Sequence, residues 1–165
     1  MVTNGSDEHF EDWWDGKMGA MVRGDQLTFA VRSLRTGVVV GTTGYHSFDP
    51  GHRRVEIGST YYRTDVRGTK LNAEAKLLLL DHAFSMGAAR VEFVTDALNE
   101  RSQTALERLG ATREGVLRCH KITWTGRLRD TVVYSIVHTE WPEVRSRLQR
   151  RLDEGLTPRL RKVGS

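Results

Sequence analysis

Four consecutive leucines, Leu77 to Leu80, stand between two stretches that alternate as strands, RRVEIGSTYY (53–62) and ARVEFVTDAL (89–98). The segment from about Lys70 to Met86 reads as a helix ended by Gly87, where a left-handed cap is expected. Strand, apolar helix and strand in succession make a crossover, which carries the chain to a parallel neighbour. In front of it, LTFAVRS (27–33) and GVVVGTTGYHSF (37–48) read as a hairpin turning at Thr36-Gly37. Behind it, ERSQTALERL (100–109) reads as a short helix stopped by Gly110, and GVLRCHKITW with LRDTVVYSIV as a hairpin around Thr125-Gly126. A first helix over 8–22 carries Phe10, Trp13, Trp14, Met18 and Met21 at helical spacing. The expected fold is α+β, a mixed and largely antiparallel twisted sheet with flanking helices. Gly58, inside its strand, predicts a bulge or a close backbone approach.

With 165 residues, 38% of them hydrophobic, the chain fits one domain over 1–165, with an acidic leader and helix over 1–26 and a basic tail over 143–165. The leader lacks the positive start of a secretory signal, and no apolar run approaches the ~20 residues that span a bilayer. One cysteine, Cys119, rules out an internal disulfide framework, and in its strand pattern it reads as a small buried hydrophobe. The six histidines form no metal-ligand spacing, so no metal is expected, and His82 reads as a core residue. The chain is expected to act in the cytoplasm, away from membranes. The net charge of +4 is local: residues 145–165 hold seven Lys/Arg against two acids. Such a tail suits either a solvated helix end or contact with RNA, the ribosome or an acidic partner.

Arg67-Gly68-Thr69-Lys70 opens the apolar helix. First-turn amides lack internal partners and carry partial positive charge, so a glycine-bearing basic turn there fits either a phosphate site or an ordinary capped loop. The Walker and dinucleotide fingerprints are absent.

The combination of Glu56 on a strand, R-G-T-K-L-N (67–72) and a long apolar helix resembles the GNAT acyl-CoA N-acyltransferases. Asn99-Glu100-Arg101-Ser102, LERLGA (106–111), GVLR (115–118), Asp130 and Glu140-Trp141 resemble the RimJ/RimL branch, which acetylates protein N-termini. The resemblance implies a GNAT-like sheet and acetyl-CoA as co-substrate. It implies that Arg67, Gly68, Thr69, Lys70, Leu71 and Asn72 cradle the pyrophosphate, that Ile57, Gly58, Ser59 and Thr60 pair with the pantetheine arm, and that Asn99 orders the CoA arm. Lys70 and Asn72 stand where small loop residues are usual. The acceptor implied is a primary amine, a protein N-terminal α-amine ahead of polyamines or aminoglycosides. A non-catalytic acyl-CoA-binding or interaction protein is the competing class.

Acetyl transfer needs a neutral amine and a proton for the departing thiolate. An α-amine with pKa near ~7.8 is partly neutral at physiological pH, whereas a lysine near ~10.4 is almost wholly charged. By resemblance Glu56 deprotonates the amine, the alternative being a strand carboxylate that pairs with Arg53 or Arg54. Ser102 occupies the place of the RimL-like acid, the alternative being a satisfied helix-end hydroxyl. Tyr134 is a reserve acid or a packed strand residue. The glutamate that RimL-like enzymes carry on the penultimate strand falls at Lys121, which cannot serve that role. Trp13, Trp14 and Trp124 read as core or interface, with an aromatic wall of an acceptor pocket as the alternative. The family usually opens with a further strand and helix, so LTFAVRS is expected as an exposed sheet edge that a homodimer would cover.

Overall fold

The computed structural model describes residues 10–154. Its elements are helix α1 (Phe10–Val22), strands β1 (Gln26–Arg32), β2 (Val39–Asp49) and β3 (Arg54–Tyr62), helix α2 (Leu71–Ser85), strand β4 (Arg90–Asp96), helix α3 (Glu100–Leu109), strands β5 (Thr112–Ile122) and β6 (Leu128–Val137), and helix α4 (Trp141–Glu154). One sheet runs β1-β2-β3-β4-β6-β5. Only β3 and β4 pair in parallel; the other neighbours are antiparallel. This is the expected α+β architecture.

The leucine run shows why α2 sits where it does. Four consecutive helical positions fan through about 300°, so they cannot all face one way. Leu77, Leu79 and Leu80 are buried and Leu78 is 71% exposed. The buried side meets Val55, Ile57, Val91, Phe93, Val132, Tyr134 and Ile136, which alternate onto one face of the sheet, and α3 and α4 add Leu106, Leu109 and Leu148 to that core. Burying a side chain of this size contributes about 1.5–3 kcal/mol. The other sheet face is polar, with Glu56, Asp96, Arg129, Thr131 and Ser135 buried upon it.

Two expectations are corrected. His82 is exposed rather than in the core, because the stripe through Leu80 and Ala83 leaves it on the outer side of α2. Cys119 is exposed, in a left-handed backbone (φ 49°) at a bulge of β5. The Asp130 carboxylate accepts its backbone N–H at 2.7 Å, which secures the bulge. Of the stretch read as a basic tail or a solvated helix end, the part up to Glu154 is helix α4, with Trp141, Val144, Leu148 and Leu152 buried. Trp141 stacks on Phe84 at 5.3 Å, and Arg145 pairs with Asp81 at 2.7 Å. Removing the chain from residue 145 onward would therefore take Leu148 and Leu152 out of the core. The acidic leader through residue 9 and the tail beyond residue 154 lie outside the described residues.

Strand β1 is the sheet's outer strand among the described residues, with Leu27 45% and Phe29 41% exposed. Among those residues, no helix is long and apolar enough to cross a membrane.

Candidate active site

Strands β3 and β4 pair over three positions, Arg54↔Arg90, Val55↔Val91 and Glu56↔Glu92. Beyond Glu56 they part, although β3 continues to Tyr62 and β4 to Asp96. The hydrogen-bonding groups of Ile57 to Thr60 that would face β4 are thus left for another partner. Both strands run in the same direction, so the gap opens at their C-terminal ends. Helix α2 starts after the end of β3 and helix α3 after the end of β4, so two helix N-termini stand at the mouth of the gap. In open sheets, ligands bind at this end of parallel strands.

A bulge shapes the β3 side of the gap. Register with β2 jumps from Gly44↔Gly58 to Thr42↔Tyr61, and Ser59 takes a left-handed backbone (φ 50°). A Cβ on Gly58 would overlap Nε2 of His46, so this is the close approach that the strand glycine predicted. Lys17 of α1 donates to Ser59 Oγ at 2.5 Å. From α2, the buried Lys76 ammonium donates to Thr43 Oγ1 at 3.1 Å and Thr60 Oγ1 at 2.7 Å. It also lies 5.9 Å from the Phe93 ring. Burial alone lowers its pKa to about 7.

Glu56 is 8% exposed. Its carboxylate accepts from Ser47 Oγ at 3.3 Å and lies 3.5 Å from His46 Nε2. Burial pushes its pKa up, while Lys121 and the Ser47 hydroxyl pull it back. His46 is lowered to about 4, first by burial and then by the charges of Lys17, Lys121 and Lys76. At neutral pH it is an uncharged imidazole, and its contact with Glu56 is not an ion pair. Arg53 and Arg54 take other partners: Arg53 donates to Gly87 O, and Arg54 pairs with Asp49 and Glu92.

In the loop before α2, Gly68 is left-handed (φ 78°) whereas Lys70 is right-handed (φ −69°), so a lysine is tolerated where the glycine-rich loop would have a small residue. Thr69 Oγ1 donates to Val66 O at 2.7 Å. Arg67 donates from Nε to Tyr62 O at 2.7 Å and stacks over Tyr61. The Lys70 ammonium donates to the Leu152 carbonyl of α4, so its charge ties two helices together. The amides of Leu71, Asn72 and Ala73 form the helix's first turn, which lacks intrahelical acceptors.

At α3, Asn99 is the cap: its Oδ1 accepts from Ser102 N at 3.0 Å. That bond uses the Ser102 backbone, and its hydroxyl has no partner among the described residues. Tyr134 is fully buried and donates to Glu107 at 3.1 Å, which makes it a packed residue. Trp124 is 56% exposed, on a cavity at the β5–β6 turn.

Sequence reasoning passed over Lys76, His46 and Ser47. Lys76 was detectable, since it sits three residues after Ala73 and four before Leu80 on the apolar stripe of α2. His46 and Ser47 carry no such signal, because their positions follow from strand pairing.

The family profile described as acetyltransferase (GNAT) domain matches residues 2–112. Over 112 residues, 67% of its length, the chain is 33% identical to the uncharacterized N-acetyltransferase YoaA of Bacillus subtilis (strain 168); the match spans 62% of that protein. A GCN5-related N-acetyltransferase from Brucella melitensis superposes with a TM-score of 0.80 at 32% identity, over 88% of this chain and 65% of that one. Mycobacterium smegmatis RimJ in complex with CoA-disulfide shares the fold, with a TM-score of 0.73 at 22% identity over 90% of this chain and 74% of that one.

Proposed function

The chain belongs to the GNAT acetyltransferase family, and from that premise we propose that it transfers an acetyl group from acetyl-CoA to a primary amine, with a protein N-terminal α-amine as the acceptor. The observation that carries this reading is the parting of β3 and β4 after Glu56, which leaves strand hydrogen-bonding groups unused beside two helix N-termini. The first-turn amides of α2, with Gly68 and Arg67 ahead of them, would hold the pyrophosphate. Ile57 to Thr60 would pair with the pantetheine amides. Lys70 would contribute its backbone N–H, since its ammonium is committed to α4.

In the reaction the amine nitrogen attacks the thioester carbonyl, the carbon–sulfur bond breaks, and the electron pair leaves on sulfur. Glu56 takes the proton that the amine sheds, directly or through water. Ser102, whose hydroxyl has no partner among the described residues, returns a proton to the thiolate.

Two measurements test the reading. Acetyl-CoA at 100 times its Kd should stabilise the fold by about 2.7 kcal/mol, visible as a raised melting temperature. Thiol release from acetyl-CoA should be faster with peptide N-termini than with polyamines or aminoglycosides. Stabilisation without thiol release would make the protein an acyl-CoA-binding module, and an absence of both would end the reading.

The β1 edge supports self-association, because an outer strand presents unpaired backbone groups and Leu27 and Phe29 add apolar surface. Light scattering is expected to report twice the 18.7 kDa chain mass. A monomer at high concentration would overturn this.

A further inference from the structure

At the turn of the β5–β6 hairpin a cavity of about 280 Å³ is lined by Asp96, Lys121, Trp124, Arg127 and Arg129, with Ile122 on its rim. Three cations face one carboxylate. That carboxylate is already used: Asp96 accepts from Leu98 N at 3.0 Å and from the Arg127 guanidinium. Arg129 is only 7% exposed, yet its Nε has no hydrogen-bond partner among the described residues, and Asp96 lies 3.8 Å from it, beyond hydrogen-bond reach. A buried guanidinium N–H without an acceptor is costly. A planar anion that accepts from it would remove that cost, since the guanidinium fork matches carboxylate and phosphate oxygens. Lys121 and Arg129 face each other across the hairpin, and the charges of both reach the Glu56 carboxylate. The cavity lies on the polar sheet face that also carries Glu56, and Asp96 sets it at the C-terminal end of β4, where the gap opens.

We infer that this cavity receives an anionic group carried by the acceptor, a carboxylate or phosphate a residue or two from the reacting amine, with Arg129 and Lys121 as its recognition residues. The inference rests on the acetyltransferase reading and narrows it to acidic peptide N-termini. A polyamine would bring further positive charge to a lining already in cationic excess.

Thiol-release kinetics with amidated tetrapeptides test it, all beginning with serine and differing at positions two and three: Asp-Glu, Asn-Gln, Lys-Lys, and a phosphoserine version. The acidic peptide is expected to exceed the lysine peptide in kcat/KM by about tenfold to a hundredfold, mainly through KM, as befits a hydrogen bond between charged groups. Arg129→Gln and the exposed-site variant Lys121→Gln should each shrink that ratio, and the second guards against a misfolded first. A larger preference for the phosphoserine peptide would identify phosphate as the anion. Equal rates, or a preference for the lysine peptide, would overturn the inference and leave the acetyltransferase reading intact. Absence of thiol release with every peptide would defeat that reading instead. The indole N–H resonance of Trp124, assigned with Trp124→Phe, then decides: a shift with the acidic but not the lysine peptide sustains the anion site, and no shift refutes it.

Discussion

Lys76→Met is expected to stabilise the fold at pH 7 by about 2 to 4 kcal/mol while turnover falls. Lys76 is 5% exposed and pairs with no carboxylate among the described residues; its ammonium meets the Thr43 and Thr60 hydroxyls. Burial lowers its pKa from 10.5 to about 7, so between those values the unfolded chain holds a proton that the folded chain has released. Stability then rises with pH through that window, and the cost is full at and below its lower end. Methionine fills similar space without the charge, and the Thr43 and Thr60 hydroxyls, 2.9 Å apart, satisfy each other. Urea denaturation of both proteins at pH 7 and pH 10 checks the sign: the variant's advantage should shrink toward the higher pH. A variant less stable than the parent at pH 7 would show that the ammonium is a net structural asset. The expected loss of turnover follows from geometry, since Lys76 ties Thr60, in the bulged stretch of β3, to β2 at the edge of the gap. Stability sacrificed at a functional site is a common trade.

Glu56→Gln and Ser102→Ala are each expected to lower kcat/KM by about 10²-fold or more, as general bases and acids do. Their pH signatures should differ. A base whose pKa burial has raised works only above that pKa, and it matters most below the α-amine's own pKa of ~7.8, where the acceptor is mainly charged. The Glu56→Gln loss should therefore be deepest in the window between the two and shrink at higher pH. Ser102→Ala should lower the rate without that dependence and leave CoA affinity within a few-fold. Neither a cap nor a core contact is lost with the Ser102 hydroxyl, because Asn99 caps through the Ser102 amide. An unchanged melting temperature would make the kinetic loss interpretable. A full-rate Ser102→Ala enzyme would remove the serine from the mechanism, and a pH profile unaltered by Glu56→Gln would remove the glutamate.

The elements were legible because each is written locally. Apolar spacing marks α2, alternation marks β3 and β4, Gly110 ends α3 in a left-handed cap (φ 98°), and Gly58 signals the close approach of His46. The family resemblance, too, rests on short contiguous motifs. Chain order alone left the last hairpin's placement open: either strand could have joined β4. The structure puts β6 inside, where Thr131, Val132, Tyr134, Ser135 and Ile136 are all buried, and leaves β5 as an exposed edge. The buried side of α4 was hidden for a related reason: its four arginines mask the apolar stripe, but Val144, Leu148 and Leu152 recur every four positions and meet a core that exists only after α2 has packed. Strand register decided the rest, setting His46 and Ser47 of β2 against Glu56, and Lys121 across from Arg129. Local sequence dictates backbone preference, but burial, pKa and the company a side chain keeps are set by residues distant along the chain. For that reason the candidate base was named from sequence, while its environment, the buried Lys76 and the cationic cavity emerged only in three dimensions.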